Sequence, residues 1–102
     1  MTLKEQFTQD LLAKMEQAKA IGCGTSAKTL QTITAKGGDE LARFIFSRQG
    51  ASENFEKLAK AGRLDLSLEA QVVEKKYASI FSDDEVNYCF MLLCDEGYFV
   101  VG

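Results

Sequence analysis

The stretch SDDEVNYCFMLLCDEG, residues 82–97, decides the fold class. Ser82 stands three residues before Glu85, and an apolar run follows at once. This is the capping-box pattern, in which a serine hydroxyl and a glutamate carboxylate satisfy backbone N–H groups that an α-helix leaves unpaired at its start. The acidic residues Asp83, Asp84 and Glu85 also meet the positive end of the helix dipole. Gly97 supplies the stop, so a helix is expected over residues 83–96. Val86, Cys89, Phe90 and Leu93 fall on one face of it, and Tyr88, Met91 and Leu92 on others. A helix apolar nearly all round is ordinarily buried, so this one is expected at the centre of the molecule.

Upstream, the same period of about 3.6 residues recurs. Leu3, Phe7, Leu11, Met15 and Ala18 mark an amphipathic helix over about residues 3–20, closed by Gly22-Cys23-Gly24. Ser26 reads as the cap of a second helix with Leu30 and Ile33 inward, and Gly37-Gly38 ends it. Asp39 reads as the cap of a third, with Leu41, Phe44 and Ile45 on its inner face and Phe46 leaving the pattern towards Gly50. Ser52 opens a fourth with Phe55, Leu58 and Ala59, ended by Gly62. Ser67 caps a fifth, with Glu69 in its first turn and Leu68, Val72 and Val73 buried; Tyr77, Ile80 and Phe81 close the connection behind it. No proline occurs among the 102 residues, and no segment alternates with a period of two. The expectation is therefore an all-α fold: a single compact domain, residues 1–102, of about five to six short helices around a central C-terminal helix.

Composition narrows the chemistry. There is no histidine, which removes the commonest general base and metal ligand. The three cysteines, Cys23, Cys89 and Cys94, have no C-x-x-C spacing and are too few for a disulfide framework. No catalytic, cofactor or metal residues are assigned. Charges spread through residues 1–21 leave no apolar core for a signal peptide, and no apolar run reaches the length of a membrane span. A reduced, cytoplasmic setting without membrane contact is expected. GCGTSAKT, residues 22–29, matches the phosphate-loop pattern except that Ala27 replaces a glycine. It follows a helix where the nucleotide fold requires a strand, so a helix-to-helix turn capped by Ser26 is the better reading.

Two interaction leads remain. Residues 43–63 hold five basic side chains (Arg43, Arg48, Lys57, Lys60 and Arg63) against two acidic ones, whereas residues 64–102 hold two against eight. If the third and fourth helices form a hairpin, the five make a candidate nucleic-acid surface; the acidic pI near 4.9 weighs against it. The apolar tail Tyr98, Phe99 and Val100 is the stronger candidate for binding another protein or a second copy in a homodimer, since exposed apolar surface marks interaction sites. Arg63 and Asp65 read as an internal bridge fixing a turn.

The run GRLDLSLEA at residues 62–70, followed by IFSDDEV at 80–86 and by Gly97-Tyr98, resembles an uncharacterised family of small helical bacterial proteins and segments sharing a G-R-L-D-L-[ST]-x-E-A core. The resemblance covers about residues 37–98. Some members are attached to nuclease-like or phage-defence proteins, so it implies a bacterial or prophage setting and no transferable activity.

Overall fold

A computed structural model describes residues 2–98. It contains six α-helices among those residues and no strand: α1 Leu3–Ala20, α2 Ala27–Lys36, α3 Gly38–Ser47, α4 Phe55–Ala61, α5 Leu68–Val72 and α6 Asp83–Asp95, with 3-10 turns at Leu64–Leu66 and Lys75–Tyr77. The all-α single domain follows the periodicity of the sequence.

Side-chain caps set most of the boundaries. Ser82 and Glu85 form the reciprocal box, the Glu85 N–H donating to Ser82 Oγ at 3.2 Å and the Ser82 N–H to Glu85 Oε1 at 2.8 Å. Thr2 and Glu5 do the same for α1, Ser26 caps α2, and Ser67 Oγ accepts from the Ala70 N–H at 3.0 Å. Gly62 closes α4 in the left-handed region, at φ 71°, and a Cβ built there meets no atom within 4 Å. Its substitution cost is therefore conformational. Gly62→Ala is expected to lower stability by about 1 kcal/mol, read as a shift in urea midpoint with an unchanged slope.

α1 is the long element on which the others assemble, burying Phe7, Leu11, Met15 and Ala18. α3 meets it so closely that Gly38 has no room for a side chain: a Cβ would lie 2.9 Å from Leu11 Cδ2 and 3.2 Å from the Phe7 ring. The Gly38 N–H donates to Thr8 Oγ1 at 2.9 Å. One buried cluster centres on Phe7, with Tyr77 and Phe81 edge-on to it at 5.0 and 5.2 Å between ring centroids. A second gathers Ala18, Phe55, Leu58, Leu64, Leu66 and Leu93, and half-buried Val73 packs against both.

The structure corrects the expected centre. α5, only five residues long, is buried from Leu68 through Val72, including Glu69 and Gln71. α6 buries only Cys89 and Leu93, holds Val86, Tyr88 and Leu92 at half depth, and turns Phe90 (47% exposed) and Met91 (64%) outward. It lies over α5 and α3 as a cover. The reason is that the Glu69 carboxylate and the Gln71 amide nitrogen find polar partners inside, so α5 can be central without being apolar: Gln71 Nε2 donates to the Phe7 carbonyl at 2.7 Å, although Gln71 Oε1 has no partner.

Three local boundaries also differ. Gly37 occupies the cap of α3, while Asp39 lies inside the helix, buried and paired with Arg43 at 3.2 Å. Pressing Gly38 onto α1 sets the rotation of α3, so Ala42 and Phe46 go in and Phe44 comes out at 58% exposed. α4 starts at Phe55, since Ser52 is engaged elsewhere: its N–H and Oγ donate to the two carboxylate oxygens of Glu69 at 2.6 and 2.7 Å.

Candidate functional site

The basic residues do not assemble as a hairpin would place them. α3 packs on α1, α2 and α6, whereas α4 packs chiefly on the turn at Leu64–Leu66. Arg43 is held by its neighbours: it pairs with Asp39 at 3.2 Å and Glu40 at 3.4 Å, donates to the Ile80 carbonyl at 2.5 Å, and lies over the Phe81 ring. Arg63 forms a two-pronged bridge with Asp65 at 3.1 and 3.2 Å. That bridge holds the Asp65 carboxyl below its ordinary range, and both partners are about half exposed. Arg48 stacks on Phe44, with 5.3 Å from guanidinium carbon to ring centroid. Lys60 shares a shallow depression with Glu56 and Glu96. Lys57 is exposed.

The phosphate-loop look-alike carries its own anion. Glu53 reaches back to the start of α2, where its carboxylate accepts from the Ser26 N–H, from Ser26 Oγ at 3.0 Å and from Thr29 Oγ1 at 3.1 Å. The Ser26 backbone bond, ahead of the hydroxyl bonds, draws the Glu53 pKa below the ordinary carboxylate range. A helix N-terminus attracts an anion, and here the chain itself provides it. The turn at residues 22–29 is thus filled by an internal carboxylate.

No group of three or more cysteine, aspartate or glutamate side chains that could hold a metal ion occurs among the described residues. All three cysteines are free, Cys23 and Cys89 buried and Cys94 exposed. Burial pushes the Cys89 thiol far up, so it stays protonated near neutrality and is a poor nucleophile. No helix among the described residues is long and apolar enough to cross a membrane.

Of the apolar tail, Tyr98 belongs to the described residues; Phe99 and Val100 lie outside them. The Tyr98 N–H donates to the Leu93 carbonyl at 3.0 Å, and Tyr98 lines a surface depression together with Gly62 and Leu64. Tyr98 is 37% exposed, and exposed apolar surface is also found on α6, where Phe90, Met91 and Cys94 share the outer face with Asn87. That face is bounded by Asp83 and Asp84 at one end and Asp95 at the other. Sequence periodicity placed Phe90 inward because its neighbours are apolar too. The signal that could have found the outer face is Asn87, which with Asp83, Asp84 and Asp95 marks one polar stripe along the helix.

No family model, curated protein or solved structure matches the chain.

Proposed function

We propose that the chain is a non-enzymatic protein-interaction module that binds a cationic amphipathic helix of another protein on the outer face of α6. One observation carries this reading: two large apolar side chains, Phe90 and Met91, stand exposed between carboxylates at both ends of the same helix. Residues 77–102 contain no lysine or arginine. Asp95 sits in the last turn, where the helix dipole disfavours a carboxylate by several tenths of a kcal/mol, and no basic residue offsets it there. A basic partner would relieve that cost while its own apolar face covers the apolar pair.

The same charges disfavour self-association through this face. Two copies crossing antiparallel would set Asp83 and Asp84 against Asp95, whereas parallel copies would set like against like along the whole face. The nucleic-acid reading has less support, because Arg43 and Arg63 are already engaged by carboxylates.

The test uses two synthetic amphipathic peptides of equal length, one Leu/Lys and one Leu/Glu, titrated by fluorescence anisotropy. The Leu/Lys peptide is expected to bind at least about tenfold tighter, to weaken with salt, and to lose about tenfold on Met91→Glu, since truncating or charging a central apolar anchor costs roughly 1–2 kcal/mol. Equal binding of the two peptides, or indifference to Met91→Glu, would sink the proposal. A dimer in sedimentation that Met91→Glu dissolves would replace the foreign partner by a second copy.

A further inference from the structure

A cavity of about 220 Å³ opens between α1, α2, α3, the first residue of α5 and the segment before α4. Leu11, Met15, Ile33, Leu41, Ile45 and Leu68 make its apolar wall. Its other side is polar and belongs to the two segments already described, the α2 cap and the stretch before α4: Thr25, Thr29, Ser52, Glu53 and Asn54. A cavity of roughly 150 Å³ lined by aliphatic side chains holds a benzene ring, so this one has room for a body of about six to ten heavy atoms.

Two of the three buried side-chain oxygens without a partner among the described residues belong to residues of this polar side. Thr25 Oγ1 and Asn54 Oδ1 are both buried without a hydrogen-bond partner. Asn54 itself is 1% exposed, and its amide nitrogen is oriented by the Cys23 carbonyl at 2.9 Å and the Met15 sulfur at 3.7 Å. The oxygen is thereby left as a fixed acceptor. Buried polar atoms are nearly always paired, and an orphan costs about 1–3 kcal/mol. An apolar pocket with a few convergent polar groups is also the usual form of a small-molecule site.

The wall further selects the sign of the ligand. No lysine or arginine lines the cavity, and Glu53 borders it with its carboxylate ionised, since Ser26 and Thr29 hold it in that form. An anionic head would be buried against a like charge without a counter-ion.

We infer that this cavity is a binding site for a small apolar molecule carrying one hydrogen-bond-donating, non-anionic head, an alcohol or primary amine of about six to ten heavy atoms, whose head donates to Thr25 Oγ1 and Asn54 Oδ1. It is separate from the outer face of α6 and requires no part of the interaction proposed there.

The experiment titrates the intact chain with 1-hexanol, hexylammonium, hexanoate and benzene, following methyl resonances by two-dimensional NMR. The alcohol and the amine are expected to shift the Ile33, Ile45 and Leu11 methyls saturably, with hexanoate at least about tenfold weaker. Thr25→Val keeps the shape and removes the hydroxyl, so it should weaken hexanol about fivefold, the loss of one neutral hydrogen bond, while leaving benzene unaffected. Ile45→Phe, which fills the cavity from its half-exposed side, should abolish both. Three results would overturn the inference: no saturable shift with any probe, hexanoate binding as well as hexanol, or Thr25→Val weakening benzene and hexanol alike. Chemical shifts outside the cavity report whether each variant remains folded.

Discussion

Tyr77→Ala is expected to destabilise the chain by roughly 3–5 kcal/mol, a large share of the about 5–15 kcal/mol by which such a domain is stable. Tyr77 is the largest fully buried side chain, at 0% exposed. Its ring stands edge-on to Phe7 at 5.0 Å, and Phe7 in turn meets Phe81. Removing the ring takes one wall from the cluster that joins α1 to the segment between α5 and α6. The phenol adds a second contribution: its hydroxyl donates to the Asp10 carboxylate, and that bond is the main reason the Asp10 carboxyl titrates below its ordinary range. Tyr77→Phe therefore separates the two effects. It should cost only about 1 kcal/mol, the net value of one hydrogen bond, and it should return the Asp10 titration towards the ordinary carboxylate value. Because a depressed folded pKa adds stability above the ordinary value and loses it as pH falls, the Phe variant should differ least from the parent in acid. Urea unfolding across pH measures both variants. A Tyr77→Ala loss no larger than that of Tyr77→Phe would show that the ring packing contributes little.

What could be read from sequence, and what could not, divides along a physical line. Caps and stops are local, and they were legible: Ser26, Ser67, the Ser82–Glu85 box and Gly62 each act through atoms within a few residues. The bridge between Arg63 and Asp65, two positions apart, was legible for the same reason. Depth within the fold was not, because it depends on partners distant along the chain. Glu69 and Gln71 carry polar heads, so periodicity leaves them outside; Ser52 and the Phe7 carbonyl, 17 and 64 residues away, bring them in. Conversely, α6 looked central because it is apolar, yet a helix that covers α5 needs only one buried face. Asp39 likewise has the residue type of a cap, but the close approach of Gly38 to α1 moves the start of α3 two residues earlier. The pocket was invisible for a related reason: its wall is drawn from α1, α2, α3 and α5, while its two orphan oxygens belong to a turn and to the residue before α4. The outer face of α6 was half legible, since its acidic ends are plain in sequence but the exposure of Phe90 and Met91 required the docking direction of the helix.

Glu69 should give opposite results with two substitutions. Its carboxylate is completely buried and accepts both the N–H and the hydroxyl of Ser52, tying the loop before α4 to the first turn of α5. Glu69→Ala leaves a void and strands two donors, and is expected to cost about 2–4 kcal/mol. Glu69→Gln can keep both bonds, its oxygen accepting from the Ser52 N–H and its amide donating to Ser52 Oγ, while removing a charge from a site that desolvates it. Desolvation outweighs the Ser52 bonds and raises the Glu69 pKa above its ordinary value. In the window between the unfolded and the raised folded value, the folded chain holds the extra proton. Stability attributable to Glu69 is therefore fully present below the unfolded pKa and lost as pH rises through the folded one. The glutamine variant lacks this loss, so the stability difference should move in its favour as pH rises through that window and then level off. The carboxylates of Asp10, Glu53 and Asp65 run the other way, since their folded pKa values are lowered, but they are common to both proteins and cancel in the comparison. Paired urea titrations of the parent and Glu69→Gln across the acid range provide the measurement. Should the parent gain on the variant as pH rises, the two Ser52 bonds would outweigh burial and the carboxylate would be a net stabiliser of the loop in its ionised form.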